Sequence, residues 1–334
     1  MESMSCLFLD KQLTFITGGV GIMNKLALPE DMTREQWLNL RRRGIGGSDA
    51  SVVLGVNPYR SVLELWLDKT KQLEPEESTT EAAYWGQVLE PVVREEFTKR
   101  SGLSVTRVPF LLQHDKYRFM LANLDGMIDD PVYGKCVFEA KTSSAYKAEE
   151  WETGIPVSYY AQVQHYLAVT GWQGAYIAAL IGGNDFIYRF ITRDEGYIAM
   201  LIEEEQRFWD YVRRKEMPPA DGSKATTEFL KHQYAKSRED STIILEASNL
   251  KWLEQYQQAI SEEKLAKEKK QEAENTLKLL MGKHEIAYLD GNEIRWINIS
   301  KQQLDQKLLK IDAPEIYQQY LKESSSRRFS VKCS

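Results

Sequence analysis

One short stretch limits the chain more than any other: Leu124-Asp125-Gly126, a turn, then Phe138-Glu139-Ala140-Lys141. Asp125 and Lys141 stand 16 positions apart (141 − 125). Between them Asp130-Pro131-Val132-Tyr133-Gly134 is turn chemistry. The spacing predicts two strands closed by a tight connection, with the acids at the strand ends. Side chains alternate along a strand, so Glu139 and Lys141 share one face and Ala140 turns away. Carboxylates that converge can hold a divalent cation, and an ammonium beside them can orient water or neutralise phosphate charge. The Ala140 carbonyl is within reach of the same cation. A surface hairpin with ordinary charges would carry the same triplet, so the neighbouring segments decide its meaning.

Three of them bear on it. Ala82, Trp85, Leu89, Val92 and Val93 recur at helical spacing and predict an amphipathic helix from Thr80 to about Arg100, stopped by Gly102. Glu90 lies off its apolar stripe and could face the cation, although it also belongs to a Glu-rich stretch. Pro91 predicts a kink or a new helix start behind it. Ser158 to Leu167 predicts another helix, ending near Gly171, on which Gln162 and Tyr166 are four apart and share a face. Such a pair can hydrogen-bond a phosphate, or a lysine that works on one. Gln164 joins Tyr166 among the candidate phosphate contacts.

The third segment is Arg41-Arg42-Arg43-Gly44-Ile45-Gly46-Gly47-Ser48-Asp49. Thr33-x-x-Gln36 is a capping box, so a helix runs from Thr33 to about Arg43. The glycines break it, and Ser48 or Asp49 caps a short helix that ends at Gly55. A glycine-rich turn at a helix N-terminus exposes N–H groups that suit a phosphate. The arginines add permanent charge and forked donors. Arg41, Arg43 and Ser48 are the candidate phosphate ligands. With no Gly-Lys-Ser/Thr and no preceding strand, this is neither a nucleotide P-loop nor a dinucleotide fingerprint.

Taken in order, GIGGSDAS, WGQVLEPVVREEF, LANLDGMI, FEAKTS and YYAQVQHYL resemble the YqaJ / lambda exonuclease family of the PD-(D/E)xK nuclease superfamily. The resemblance runs from about Arg41 to Lys215. It implies an α/β restriction-endonuclease-like core, a mixed central sheet flanked by helices. It places Asp125 on the family's first strand carboxylate, Glu139 and Lys141 on its E-x-K, and Glu90 on its helical acid. Gln162 and Tyr166 fall on its Q-x-x-x-Y helix, and Ser48 with an arginine of the 41–43 run on its 5′-phosphate region. Asp115, ten positions before Asp125, stands where the lambda enzyme also has an acid, but here it falls in a turn, His114-Asp115-Lys116. Leu124 replaces the proline of the superfamily's name.

The resemblance implies a metal-dependent deoxyribonuclease holding one or two Mg²⁺ ions, with Mn²⁺ able to substitute. The metal ligands would be Asp125, Glu139, the Ala140 carbonyl and Glu90. The substrate would be a double-stranded DNA end, digested 5′ to 3′ to leave a 3′ single strand for a phage single-strand-annealing protein of the RecT/Red-beta type. A homotrimeric ring and a phage or prophage origin, in the cytoplasm of a bacterial host, are implied in the same way. A structure-specific or nicking endonuclease, and a catalytically silent DNA-end-binding module, stay open beside this reading.

Composition narrows the classes further. Lys and Arg total 43 against 49 Asp and Glu, a net charge of −6. That balance weakens a passive DNA binder more than a nuclease, whose acids serve its cations. Three cysteines (Cys6, Cys136, Cys333), odd in number and far apart, fit a reducing cytoplasm and exclude a four-cysteine iron–sulfur clamp. The four histidines do not pair at ligand spacing, which argues against zinc. No apolar run reaches the roughly 20 residues of a membrane helix, and Asp10 and Lys11 spoil residues 7–23 as a signal peptide.

The expected organisation is a nuclease core with an N-terminal extension over 1–216, a linker over 217–224, and a C-terminal extension over 225–334. The extension should hold a long charged helix (247–281), a hairpin turning at Asp290-Gly291 with Ile286, Tyr288, Ile294 and Trp296 on its apolar side, and a basic tail. No catalytic constellation follows residue 217. The extension reads as a packing arm, or as an arm that tracks DNA or docks a partner.

Overall fold

The computed structural model describes residues 23–27, 32–73, 80–238, 241–323 and 326–332. Cys6, Cys333, the serines at 324 and 325, and the part of the expected N-terminal extension before Met23 lie outside them. The chain divides into two units, Met1–Tyr234 and Ala235–Ser334.

In chain order the first unit contains β1 (Met23–Ala27), α1 (Arg34–Arg41), α2 (Gly47–Val53), α3 (Val62–Lys69), α4 (Glu81–Ser101), β2 (Val105–Thr106), β3 (Phe110–His114) and β4 (Leu121–Ala122). Then come β5 (Gly126–Asp130), β6 (Gly134–Ser143), α5 (Ala148–Glu152), α6 (Val157–Thr170), β7 (Gly174–Ile181), β8 (Asp185–Thr192), α7 (Glu195–Arg214) and α8 (Lys224–Gln233). The expected linker thus leads into α8, which keeps Ala225 and Thr226 buried within this unit.

The central sheet runs β2-β5-β6-β7-β8, with β6 and β7 parallel and the other pairs antiparallel. A parallel pair needs a crossover, and α5 and α6 supply it. The β5–β6 turn is held by Asp130, whose Oδ1 accepts the amides of Val132 (2.8 Å) and Tyr133 (2.9 Å). A second sheet, β1-β3-β4, is antiparallel.

Alternation along β6 sorts its side chains between two layers. Val137 joins the core under α6 with Val163, Leu167 and Ile177. Cys136 and Phe138 join the core under α4 with Val93 and Phe97. Phe97 alone contacts the rings of Phe138 (5.0 Å), Tyr176 (5.4 Å) and Tyr188 (5.3 Å). Its truncation to alanine should therefore cost about 3–5 kcal/mol. Glu139 and Lys141 continue the Val137 face, toward α6.

The structure departs from the sequence expectations along α4. Helix α4 runs unbroken through Pro91. Proline loses its bond to the carbonyl four residues back, and here that residue is Gln87, which faces an open cavity. Most of the apolar stripe expected on α4 does not face inward: Ala82, Trp85 and Val92 are exposed, Leu89 is half-buried, and of the stripe only Val93 is buried, together with Phe97. Residues 103–112 split around Arg107-Val108-Pro109, so β2 and β3 serve different sheets.

The second unit contains α9 (Leu250–Met281), the hairpin β9 (Ile286–Leu289) and β10 (Asn292–Arg295), α10 (Gln306–Asp312) and α11 (Pro314–Gln319). Tyr288 pairs with Glu293 and Ala287 with Ile294. Directly opposed residues share a face, so Ile294 lies on the face opposite Ile286 and Tyr288. The single apolar side expected for this hairpin does not form.

Candidate active site

The register of β5 and β6 sets the site. Gly126 pairs with Phe138, and one more step brings Asp125 opposite Glu139. β6 then continues through Glu139–Ser143 beside β7 alone. This open edge of the sheet lets Asp125 bend in, and its Oδ2 accepts the Ala140 amide at 2.9 Å. N–H and C=O of one strand residue point the same way, so the Ala140 carbonyl lies on that edge too.

Glu139 is buried, and its Oε1 accepts both Lys141 Nζ (2.6 Å) and Gln162 Nε2 (2.6 Å). The same Gln162 amide donates to the Tyr166 hydroxyl at 3.0 Å. The other carboxylate oxygen, Glu139 Oε2, is buried with no hydrogen-bond partner. Burial, and then the charge of Asp125, push the Glu139 pKa up to about 8 against the pull of Lys141. Burial opposes the Lys141 ammonium, but Glu139 and Asp125 outweigh it and raise its pKa. The ammonium also lies 5.0 Å from the Tyr159 ring, which stacks on buried Trp151. Burial and then the two acids hold the Tyr166 phenol well above its ordinary range, so it keeps its proton.

Asp125, Glu139, Ala140, Lys141, Gln162 and Tyr166 line one cavity of about 380 Å³. Glu90 reaches it from α4, its pKa raised by burial and by Asp125. Arg41, Gly46, Gly47 and Ser48 line it from the glycine-rich turn. Arg41 Nη2 donates to Ser48 Oγ at 2.9 Å. The turn packs this closely only because Gly47 has no side chain: a Cβ there would lie 2.3 Å from the Tyr166 ring.

A domain described as YqaJ-like viral recombinase matches residues 36–173. The uncharacterized protein YqaJ of Bacillus subtilis (strain 168) is 43% identical over 314 residues, which cover 92% of this chain and 97% of that protein. The chain belongs to the YqaJ-like viral recombinase family. The matched span holds every cavity residue named above. Among solved structures, LHK-Exo in complex with dAMP aligns with a TM-score of 0.46 and 24% identity, covering 60% of this chain and 98% of that one. Another structure of this alkaline exonuclease, from Laribacter hongkongensis, aligns at 0.44 and 20% identity over the same shares.

Several candidates fall elsewhere in this family member. Gln164 is buried on the far face of α6, donating to the Thr192 carbonyl (2.8 Å) and accepting the Asp194 amide (3.0 Å). Two helical steps from Gln162 turn it about 200° away. Asp115 sits in an exposed turn, accepting the Asn24 amide at 3.4 Å, and does not line the cavity. Neither Ser48 nor Asp49 is the N-cap of α2; Gly46 is. Asp49 is buried behind the turn, bonded to Lys69 Nζ at 2.7 Å and to the Gly46 amide at 3.0 Å. Of the three arginines, Arg42 pairs with Asp68 at 2.8 Å, and Arg43 does not line the cavity.

The acids do not form a ready-made cage. Among the described residues no three His, Cys, Asp or Glu side chains cluster closely enough to hold a metal ion. Glu139 instead faces the Lys141 ammonium and the Gln162 amide, and Glu90 faces an unforeseen cation. Arg94 Nη2 is 3.4 Å from the Glu90 carboxylate, and its Nη1 donates to the Asp125 carbonyl at 3.4 Å. The four-residue spacing of Glu90 and Arg94 on one helix was the available signal. Tyr159, seven residues before Tyr166, carried none.

Proposed function

We propose that this chain is a Mg²⁺-dependent exonuclease that degrades one strand of linear double-stranded DNA 5′ to 3′. The reading rests above all on one observation: Asp125, Glu139 and Lys141 converge with Glu90 in a cavity also lined by Arg41 and the glycine-rich turn. Family membership supports the nuclease class.

The residues fit a divalent cation. Glu139 Oε2 is buried and unpartnered, and the donors at hand are all oxygens, which selects Mg²⁺ or Mn²⁺. Asp125, Glu139, the Ala140 carbonyl and Glu90 would hold it. When bound, the cation supplies Lewis-acid polarisation of the phosphate and charge opposite the leaving oxygen.

The chain's own groups do the rest. Lys141, anchored between Glu139 and the Tyr159 ring, orients the attacking water and meets the charge that builds on the phosphoryl oxygens. Gln162 holds Glu139 and Tyr166 in register. The Tyr166 hydroxyl accepts from Gln162 and keeps its own proton to donate to a phosphate oxygen. Arg41, Ser48 and the amides of the glycine turn anchor a terminal phosphate, which fixes polarity. The remaining 3′ strand would pass to a single-strand-annealing protein, and a trimeric ring would give processivity, in the cytoplasm of the bacterial host.

Linear duplexes with and without 5′ phosphates, incubated with Mg²⁺ or EDTA, test this reading. Mononucleotide release should require Mg²⁺, favour the 5′-phosphorylated end and spare covalently closed circles. Cutting of closed circles would instead make the chain an endonuclease.

A further inference from the structure

Outside the catalytic cavity, the described residues form a cleft of about 340 Å³ between the turn that leads into β4 and the outer face of α7. Its walls combine three half-buried aromatics, Tyr117, Phe119 and Trp209, with three exposed cations, Lys116, Arg118 and Arg213. The Phe119 and Trp209 rings lie 6.3 Å apart and within 23° of parallel, and Tyr117 is 6.1 Å from Phe119. Lys116 Nζ stands 4.9 Å from the Tyr117 ring. The one acid in the lining, Asp210, is bonded to Arg213 at 2.5 Å. Neighbouring Asp115 accepts the Asn24 amide. In a chain with six more acids than bases, an aromatic cleft lined by three cations and one acid is a local reversal of sign.

The cleft is joined to the catalytic cavity through one bridge. The Ile45 amide donates to the Phe119 carbonyl at 2.6 Å, and the Leu121 amide donates to the Ile45 carbonyl at 2.8 Å. Phe119 lines the cleft, while Leu121 and the Gly46–Ser48 turn line the cavity. Two residues of extended chain span only about 7 Å. Gly44 permits the contact, since a Cβ there would lie 2.4 Å from the Phe119 carbonyl oxygen.

We infer that this cleft binds single-stranded DNA, with bases stacking on the Tyr117, Phe119 and Trp209 rings and phosphates meeting Lys116, Arg118 and Arg213. Ring faces beside tracking cations are the chemistry of strand binding without sequence preference. A duplex hides its base faces, so these rings suit the strand that survives digestion. The inference builds on the DNA-processing reading above.

The test uses the full chain in EDTA and a fluorescein-labelled 12-nucleotide oligothymidine, followed by anisotropy at several salt concentrations. Wild type should bind it. Lys116→Glu with Arg118→Glu should weaken binding about tenfold or more. It should also flatten the slope of log affinity against log salt by roughly 0.7 for each phosphate that no longer meets a cation. Tyr117→Leu keeps bulk but removes a ring face and should weaken binding several-fold. All three substitutions should leave Mg²⁺-dependent hydrolysis of a short blunt duplex unchanged, which separates this inference from the nuclease reading. Unaltered oligothymidine affinity in the double variant would overturn it. So would unaltered affinity in Tyr117→Leu, or equal competition by polyglutamate, which would mark an acidic protein segment as the occupant.

Discussion

Glu139 shows what each side chain contributes. Its pKa of about 8 lies above the ordinary carboxylate value of 4.5. The folded, cation-free protein therefore holds a proton that the unfolded chain releases between those values. Stability should fall as pH rises through that window. Glu139→Gln removes the titration, so its melting temperature without divalent cation should exceed wild type at pH 8.5 and match it more closely at pH 5. Calorimetry across that range checks the sign. The same substitution, like Lys141→Ala, should abolish hydrolysis.

Asp49 behaves in the opposite sense. Burial alone would raise its pKa, but Lys69, Arg41 and Arg60 overcome this and hold it far below the usual range. Its contribution is present above its ordinary 3.8 and lost as pH falls below that value. Asp49→Ala strands a buried ammonium and should cost about 3–5 kcal/mol in urea titration. Arg94→Ala should lower kcat while leaving the melting temperature near wild type, because it frees the Glu90 carboxylate without opening the core. Single-turnover hydrolysis would measure the loss. A fall in stability alone would assign Arg94 to packing.

At the scale of elements, strand alternation and turn chemistry make β5, β6 and the facing of Glu139 and Lys141 legible in the sequence. The capping box at Thr33 and Gln36 is formed as read. The α6 helix is equally clear, yet Gln164 does not reach the site, because two glutamines two residues apart leave a helix on different faces. Asp49 is ambiguous for another reason: a cap and a buried ion pair look alike until Lys69, twenty residues on, is placed beside it. The stripe on α4 misleads because an apolar repeat declares amphipathicity but not which neighbour covers it. The close approach of α2 and α6 gives a prediction at this scale. Gly47→Val must displace the Tyr166 ring, so hydrolysis should fall at least tenfold while Gly46→Ala, whose Cβ meets nothing nearer than 3.7 Å, is milder. Parallel assays of the two variants check it.

For the whole molecule, a net charge of −6 is compatible with acting on a polyanion because charge is placed locally. Arg41 lines the cavity of Asp125 and Glu139, and Lys116, Arg118 and Arg213 line the neighbouring cleft. No described helix is long and apolar enough to cross a membrane. The family match ends at residue 173, whereas the YqaJ likeness extends across 92% of the chain, so it takes in most of the second unit. Its long helix buries Met281 alone among its residues.

All of this depends on Asp125 and Glu139 meeting at a divalent cation beside Lys141. Crystals soaked in MnCl₂ and measured at the manganese absorption edge test that directly. The account predicts an anomalous peak flanked by the two carboxylates. Wild-type crystals with no peak there, from protein that still releases nucleotides in the same buffer, would contradict it.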